Sequence, residues 1–222
     1  MGIVTLRGVH KSFGGGSVRT HVLKGVDLEL PVGSLVMLKG RSGSGKTTLM
    51  NIIGGLDTPS EGEVNVAGHR LHLLGDKPRT KLRQTEIGFI FQSYALHPLL
   101  SAKENVELSL RMAGVPSAKW AERIDHCLEQ VGMAQRALHR PFELSGGEQQ
   151  RVAIAKAIAP SPKLLLADEP TAELDTKMSK RILMLFRQLR EEGMAICMTT
   201  HDQTMLEVAD DVYEMADGRL GS

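Results

Sequence analysis

The sequence predicts an α/β fold: a core of mainly parallel sheet, an N-terminal antiparallel β subdomain and an inserted α-helical subdomain. Three observations lead to the core and the helical subdomain. Short apolar runs at Leu35–Leu38, Leu164–Ala167 and Ala195–Thr199 have strand length and no helical period. The last two flank a helical stretch, Met178–Glu191, and strand, helix, strand at that spacing reads as a parallel βαβ unit. The middle of the chain carries helix starts and helical periodicity instead of alternation. The core is therefore assigned to 1–92 and 161–222, and the helical subdomain to about 93–160, within a single domain of 222 residues.

Taken in order, the first third reads as strands joined by glycine turns. Leu28, Leu30 and the Leu35–Leu38 run flank the turn Pro31-Val32-Gly33, and Glu63–Val66 alternates polar with apolar. Thr47–Ile53 is apolar enough for a buried helix, stopped by Gly54-Gly55 and Pro59. Ser101 and Glu104 have capping-box spacing and start a helix carrying Val106, Leu108 and Leu110. Lys119–Val131 places Ile124, Leu128 and Val131 at helical spacing.

Composition narrows the function classes. Lys and Arg number 27 against 26 Asp and Glu, a net charge of +1, so no broad basic field exists and no nucleic acid is expected as a partner. The longest uninterrupted apolar runs, Ile182–Phe186 and Met194–Met198, are five residues each, against the ~20 a membrane-spanning helix needs. Cys127 and Cys197 are far apart and outside any metal-binding spacing, so both are expected to pack as small apolar side chains. The N-terminus lacks the form of a signal peptide, and Leu6 stands where a myristoylation signal needs Ser or Thr. The cytosol is the expected compartment.

Gly40-Arg41-Ser42-Gly43-Ser44-Gly45-Lys46-Thr47, followed by Thr48, satisfies the phosphate-loop pattern in full. Glycines let backbone N–H groups turn inward around phosphate oxygens, and the following helix N-terminus adds donors and a favourable dipole. Lys46 brings a positive charge to the β- and γ-phosphates, and the Thr47 hydroxyl can ligate Mg2+. The strand before and the helix after are both present, so a nucleoside triphosphate binds here and the core is of the P-loop NTPase type. Leu164–Ala167 then runs into Asp168 and Glu169. Asp168 suits the Mg2+ site, and Glu169 the water that attacks the γ-phosphorus. His201 follows the strand Ala195–Thr199, at the end where open α/β sheets gather ligands, and is assigned a γ-phosphate contact.

Leu144-Ser145-Gly146-Gly147-Glu148-Gln149-Gln150-Arg151 resembles the signature motif of ATP-binding cassette (ABC) ATPases, over nearly the whole chain. Ser145 and Glu148 also form a capping box, and the two readings are compatible because a glycine-bearing helix N-terminus is itself an anion site. The resemblance implies that Ser145, Gly146 and Gly147 meet the γ-phosphate of a nucleotide held by the opposite subunit. It further implies adenine stacking on Phe13, sensing of Mg2+ and attacking water by Gln92, and subunit contact through Asp175 in Thr171–Asp175. Ala172 and Glu173 depart from the commoner Ser-Ala, and Glu148 replaces the more frequent Gln. Gly54-Gly55-Leu56-Asp57 and Gly88-Phe89-Ile90-Phe91-Gln92 look like the macrolide-exporter and lipoprotein-releasing branch.

The implied protein is a homodimeric ATPase using ATP and Mg2+, peripheral at the cytoplasmic face of the membrane through an integral permease. The apolar segment Gln92–Leu100, with Tyr94, Leu96, Leu99 and Leu100, is the expected docking surface. An importer ATPase is the nearer rival and a soluble ABC ATPase acting on DNA or ribosomes the more distant one. The chain has neither the coiled-coil split nor the tandem cassettes of the latter.

Overall fold

A computed structural model describes residues 2–14, 19–200 and 208–221. Within them the strands are β1 (Val4–Phe13), β2 (Thr20–Leu30), β3 (Leu35–Lys39), β4 (Glu61–Val66), β5 (His69–Arg70), β6 (Ile87–Ile90), β7 (Leu164–Asp168), β8 (Ala195–Thr199), β9 (Asp211–Ala216) and β10 (Arg219–Gly221). The α-helices are α1 (Lys46–Ile53), α2 (Asp76–Thr85), α3 (Ala102–Ala113), α4 (Trp120–Gln130), α5 (Gly146–Ile158) and α6 (Thr176–Glu191).

Two sheets form. An antiparallel one has the order β2-β1-β4-β5, and a six-stranded one the order β10-β9-β3-β8-β7-β6. In the larger sheet β9, β3, β8, β7 and β6 run parallel, and only β10 returns antiparallel. The predicted βαβ unit is β7, α6 and β8, with Leu164 opposite Ala195 and Asp168 opposite Thr199. Strands β2 and β3, which flank the Pro31–Gly33 turn, belong to different sheets, so that turn is where the chain passes from one to the other.

The apolar runs are continuous because the parallel strands are covered on both faces. Leu35 and Met37 of β3, Leu165 and Ala167 of β7, and Ile196 and Met198 of β8 face one core cluster, shared with α3, α4, α5 and α6. Val36 and Leu38, Leu164 and Leu166, and Ala195 and Cys197 face the other, shared with α1 and the antiparallel sheet. Both cysteines are free and buried, and burial pushes the Cys197 thiol up to about 12. Each therefore packs as an apolar side chain.

Between Ile90 and Leu164 the described residues hold helices and no strand. α3 starts where expected: Ser101 N–H donates to Glu104 Oε2 at 2.7 Å, and Glu104 N–H to Ser101 Oγ at 3.3 Å. Its buried Asn105 organises the loop ahead of it, accepting from His97 N–H and donating to the carbonyls of His97, Leu100 and Ser101. The helix expected over Lys119–Val131 is α4, entered through a 3-10 turn at Ser117–Lys119. α2 was not foreseen; it is polar, and Leu82 is its one buried residue.

This topology positions the site. β3, β6, β7 and β8 all point their C-terminal ends to one edge, bringing Gly40, Gln92, Asp168 and Thr199 to the same side of the sheet.

Candidate active site

The loop after β3 folds back on its own lysine. Gly40 has φ 147°, and a Cβ there would lie 2.2 Å from the carbonyl oxygen of Met215. Gly45 has φ 108° and caps α1 without any side-chain hydrogen bond. The first N–H groups of α1 thus face outward with no competing acceptor from a capping side chain, the condition for anion binding. Lys46 is 8% exposed, and its Nζ donates to Gly40 O at 2.7 Å and Arg41 O at 3.1 Å. That holds the ammonium against the loop. Ser44 Oγ is buried with no hydrogen-bond partner among the described residues, a polar atom suited to an oxygen-rich ligand.

A cleft of about 400 Å³ opens at this edge, lined by Val22, Ser42, Gly43, Gly45, Lys46, Thr47, Thr48, Gln92, Asp168 and Glu169. The phosphate loop, the glutamine and both acids meet there. Thr47 Oγ1 donates to Asp168 Oδ2 at 3.0 Å. Thr199 Oγ1, fully buried, donates to Asp168 Oδ1 at 2.6 Å and accepts from Glu169 N–H at 3.0 Å. Glu169 sits at φ 49°, a left-handed backbone that costs a non-glycine residue about 1–3 kcal/mol. Hydroxyl, carboxylate and amide oxygens are the donors a hard divalent cation takes, so Thr47, Asp168 and Gln92 fit one.

The signature segment lies outside this cleft. Ser145 is the N-cap of α5: its N–H donates to Glu148 Oε2 at 2.9 Å, and Glu148 N–H donates to Ser145 Oγ at 3.3 Å. The Ser145 N–H, helped by the Ser145 hydroxyl and by Arg136 and Arg151, holds the Glu148 carboxyl below the usual carboxylate range. Asp175 caps α6, accepting from Met178 N–H at 2.9 Å. Signature and acidic loop touch within one chain, since a Cβ on Gly147 would lie 2.8 Å from Glu173 O and one on Gly146 2.9 Å from the Tyr94 hydroxyl. Burial and the Glu173 carboxylate together push the Tyr94 phenol up. Ser145, Gly146, Gly147 and Asp175 therefore share a second face, bordered by the segment after Gln92.

Phe13, at the end of β1, is 46% exposed and does not line the cleft. Lys11 Nζ stands 4.8 Å from its ring centroid, held by Asp57 Oδ1 at 2.5 Å and Thr58 O at 2.8 Å. His201 lies outside the described residues. Of the docking segment, Tyr94 and Ala95 line a groove of about 340 Å³ between α2, β6, α3 and α5. Leu96 packs instead against the helical core, and Leu99 is exposed. Sequence reasoning missed Lys11 and Thr199. The first takes its partners from the distant Asp57–Thr58 turn, and the second requires the β7–β8 register.

A family model described as ABC transporter matches residues 23–172. The chain belongs to the ABC transporter family. It is an ATP-binding cassette, 44% identical over 218 residues to an uncharacterised ABC transporter ATP-binding protein of Thermotoga maritima, covering 98% of this chain and 93% of that one. It is 42% identical over 218 residues to the macrolide export ATP-binding/permease protein MacB of Wolinella succinogenes, covering 98% of this cassette but 34% of that longer protein. The pyoverdine export ATP-binding/permease protein PvdT of Pseudomonas syringae is 43% identical over 217 residues, 33% of its length. The structure superposes on the ATP-binding cassette MJ0796, in a dimeric post-hydrolysis state bound to ADP and phosphate, with a TM-score of 0.94 and 39% identity. That match covers 99% of this cassette and 97% of the other. Among the described residues, no helix is long and apolar enough to cross a membrane.

Proposed function

We propose that this cassette hydrolyses MgATP at the interface of two copies and passes their closing and opening to a membrane permease, for export or extraction. One observation carries the reading. The cleft gathers Lys46, Thr47, Gln92, Asp168 and Glu169, while the glycine-bearing N-terminal end of α5 lies on another face of the same chain. A site built from both needs a second copy.

In that arrangement Gly40–Gly45 and the start of α1 cradle the phosphates, and Lys46 exchanges its loop carbonyls for β- and γ-phosphate oxygens. Mg2+, when bound at Thr47, Asp168 and Gln92, neutralises charge on those oxygens. Glu169 accepts a proton from the water that attacks the γ-phosphorus, the bond to the β-γ bridging oxygen breaks, and ADP and phosphate leave. His201 contacts the γ-phosphate, and Phe13 offers its ring to adenine. The opposite copy supplies backbone donors from Gly146 and Gly147, with Ser145 and Asp175 at the contact. ATP bridges the copies until its γ-phosphate is lost.

The permease docks at the groove beside Tyr94. Phe89 and Phe91 stack there at 5.2 Å and 3°, and Met112 also lines the groove. Among the described residues its two cations, Arg83 and Lys156, are turned to carbonyls of Gly55 and Ala95, and no carboxylate lines it. Burial lowers the pKa of both. A short apolar helix bearing a carboxylate suits such a groove. The cassette is thereby peripheral to the membrane, and residues from about 93 to 160 form a helical subdomain that carries the signature and lines one side of the groove.

Glu169→Gln tests the catalytic assignment. It is expected to cut turnover by about 100-fold or more while ATP still binds, and to trap the ATP-bound dimer in light scattering. Turnover near wild type removes Glu169 from its role.

A further inference from the structure

Thr199 carries one polar atom into the completely buried end of β8. Its neighbours on that strand, Cys197 and Met198, are apolar core residues. Parallel pairing puts Thr199 directly opposite Asp168. From there the hydroxyl does two things at once. It donates to Asp168 Oδ1, leaving Oδ2 turned to Thr47, and it accepts the N–H of Glu169. Those two residues are the ones whose orientation the reaction depends on, and the second has a left-handed backbone that its surroundings must hold in place.

We infer that Thr199 is a positioning residue of the ATPase site: its hydroxyl aims the metal-holding carboxylate and fixes the backbone of the water-activating glutamate. The inference rests on the assignment of Asp168 and Glu169 above. A hydroxyl has a single proton, so the direction of both bonds is settled. Asp168, as an anion, accepts only, and the Glu169 N–H donates only, leaving Thr199 Oγ1 as donor to one and acceptor to the other. Valine has almost the same shape but satisfies neither. It would take away the hydroxyl that holds both Asp168 Oδ1 and the Glu169 N–H in these orientations. The β-branch is kept, so the strand packing of β8 is not disturbed.

The test compares Thr199→Val and Thr199→Ser with wild type by three readouts: turnover, the Mg2+ concentration giving half-maximal turnover, and ATP affinity with Mg2+ chelated. The Val variant is expected to lose about 10- to 100-fold in turnover and to need several-fold more Mg2+, the range found when outer partners of metal ligands are removed. Its ATP affinity in chelator should stay within about twofold, because the phosphate loop is untouched. Ser should restore turnover and Mg2+ dependence. The inference is overturned if Val matches wild type in both, if Ser fails as badly as Val, or if Val also loses metal-free ATP binding, which would mark a packing role. An inactive Glu169→Gln beside a normal Thr199→Val sinks this inference alone, whereas an active Glu169→Gln sinks the assignment beneath it.

Discussion

The strand-end cleft and the signature face bind the same class of ligand in this reading, yet they spend their polar groups differently. In the cleft, side chains hold one another in positions that a nucleotide can take over: Lys46 on loop carbonyls, Thr47 on Asp168, Thr199 on Asp168 and Glu169. On the signature face, Ser145 and Asp175 are committed to capping their own helices. What remains for a ligand there is backbone, at Gly146 and Gly147. A site made of exchangeable side chains can bind alone. One made of helix-end N–H groups adds to a phosphate that something else already holds.

Substitutions in the two regions should therefore fail in different ways. Lys46→Ala removes a charged donor and no cap. ATP affinity is expected to fall about 10- to 100-fold with little change in melting temperature, as measured by nucleotide titration and thermal unfolding. An unchanged titration would break the assignment of the cleft. Ser145→Ala is the smaller case. Loss of the cap should lower stability by about 1 kcal/mol while nucleotide affinity of the single chain is unaffected. The effect should also depend on pH. The Glu148 carboxyl is held low in the folded protein, so the stability it contributes is present at neutral pH and lost as pH falls through its folded value. Alanine keeps the backbone N–H that does most to hold Glu148 low, so the gap between wild type and Ser145→Ala in thermal unfolding should narrow in acid only by the share that the Ser145 hydroxyl contributes.

The cleft was the more legible region because its chemistry is local. A strand, a glycine loop, Lys46, Thr47 and a helix occur within twenty residues, and each residue type is required by what it does to a phosphate. The capping boxes at Ser101 and Ser145 were legible for the same reason. Long-range pairing was not. Nothing adjacent to Thr199 in the chain distinguishes it from an ordinary strand residue until β8 is laid beside β7. Lys11 likewise acquires its partners, Asp57 and Thr58, from a distant turn. α2 escaped because helical periodicity needs buried positions to show, and a helix burying only Leu82 supplies too few. The β1–β2 pair is interrupted by register shifts near Gly8 and Gly25, which blur the alternation that marks a strand.

The central claim is that each working site takes its cleft from one copy and its signature from the other. The direct measurement is ATP turnover by Lys46→Ala and Ser145→Arg chains, alone and mixed one to one. Each alone should be inactive. Random pairing makes half the dimers mixed, each with one intact composite site, so the mixture should recover about a quarter of wild-type turnover. No recovery in a mixture shown to form mixed dimers would contradict a shared site.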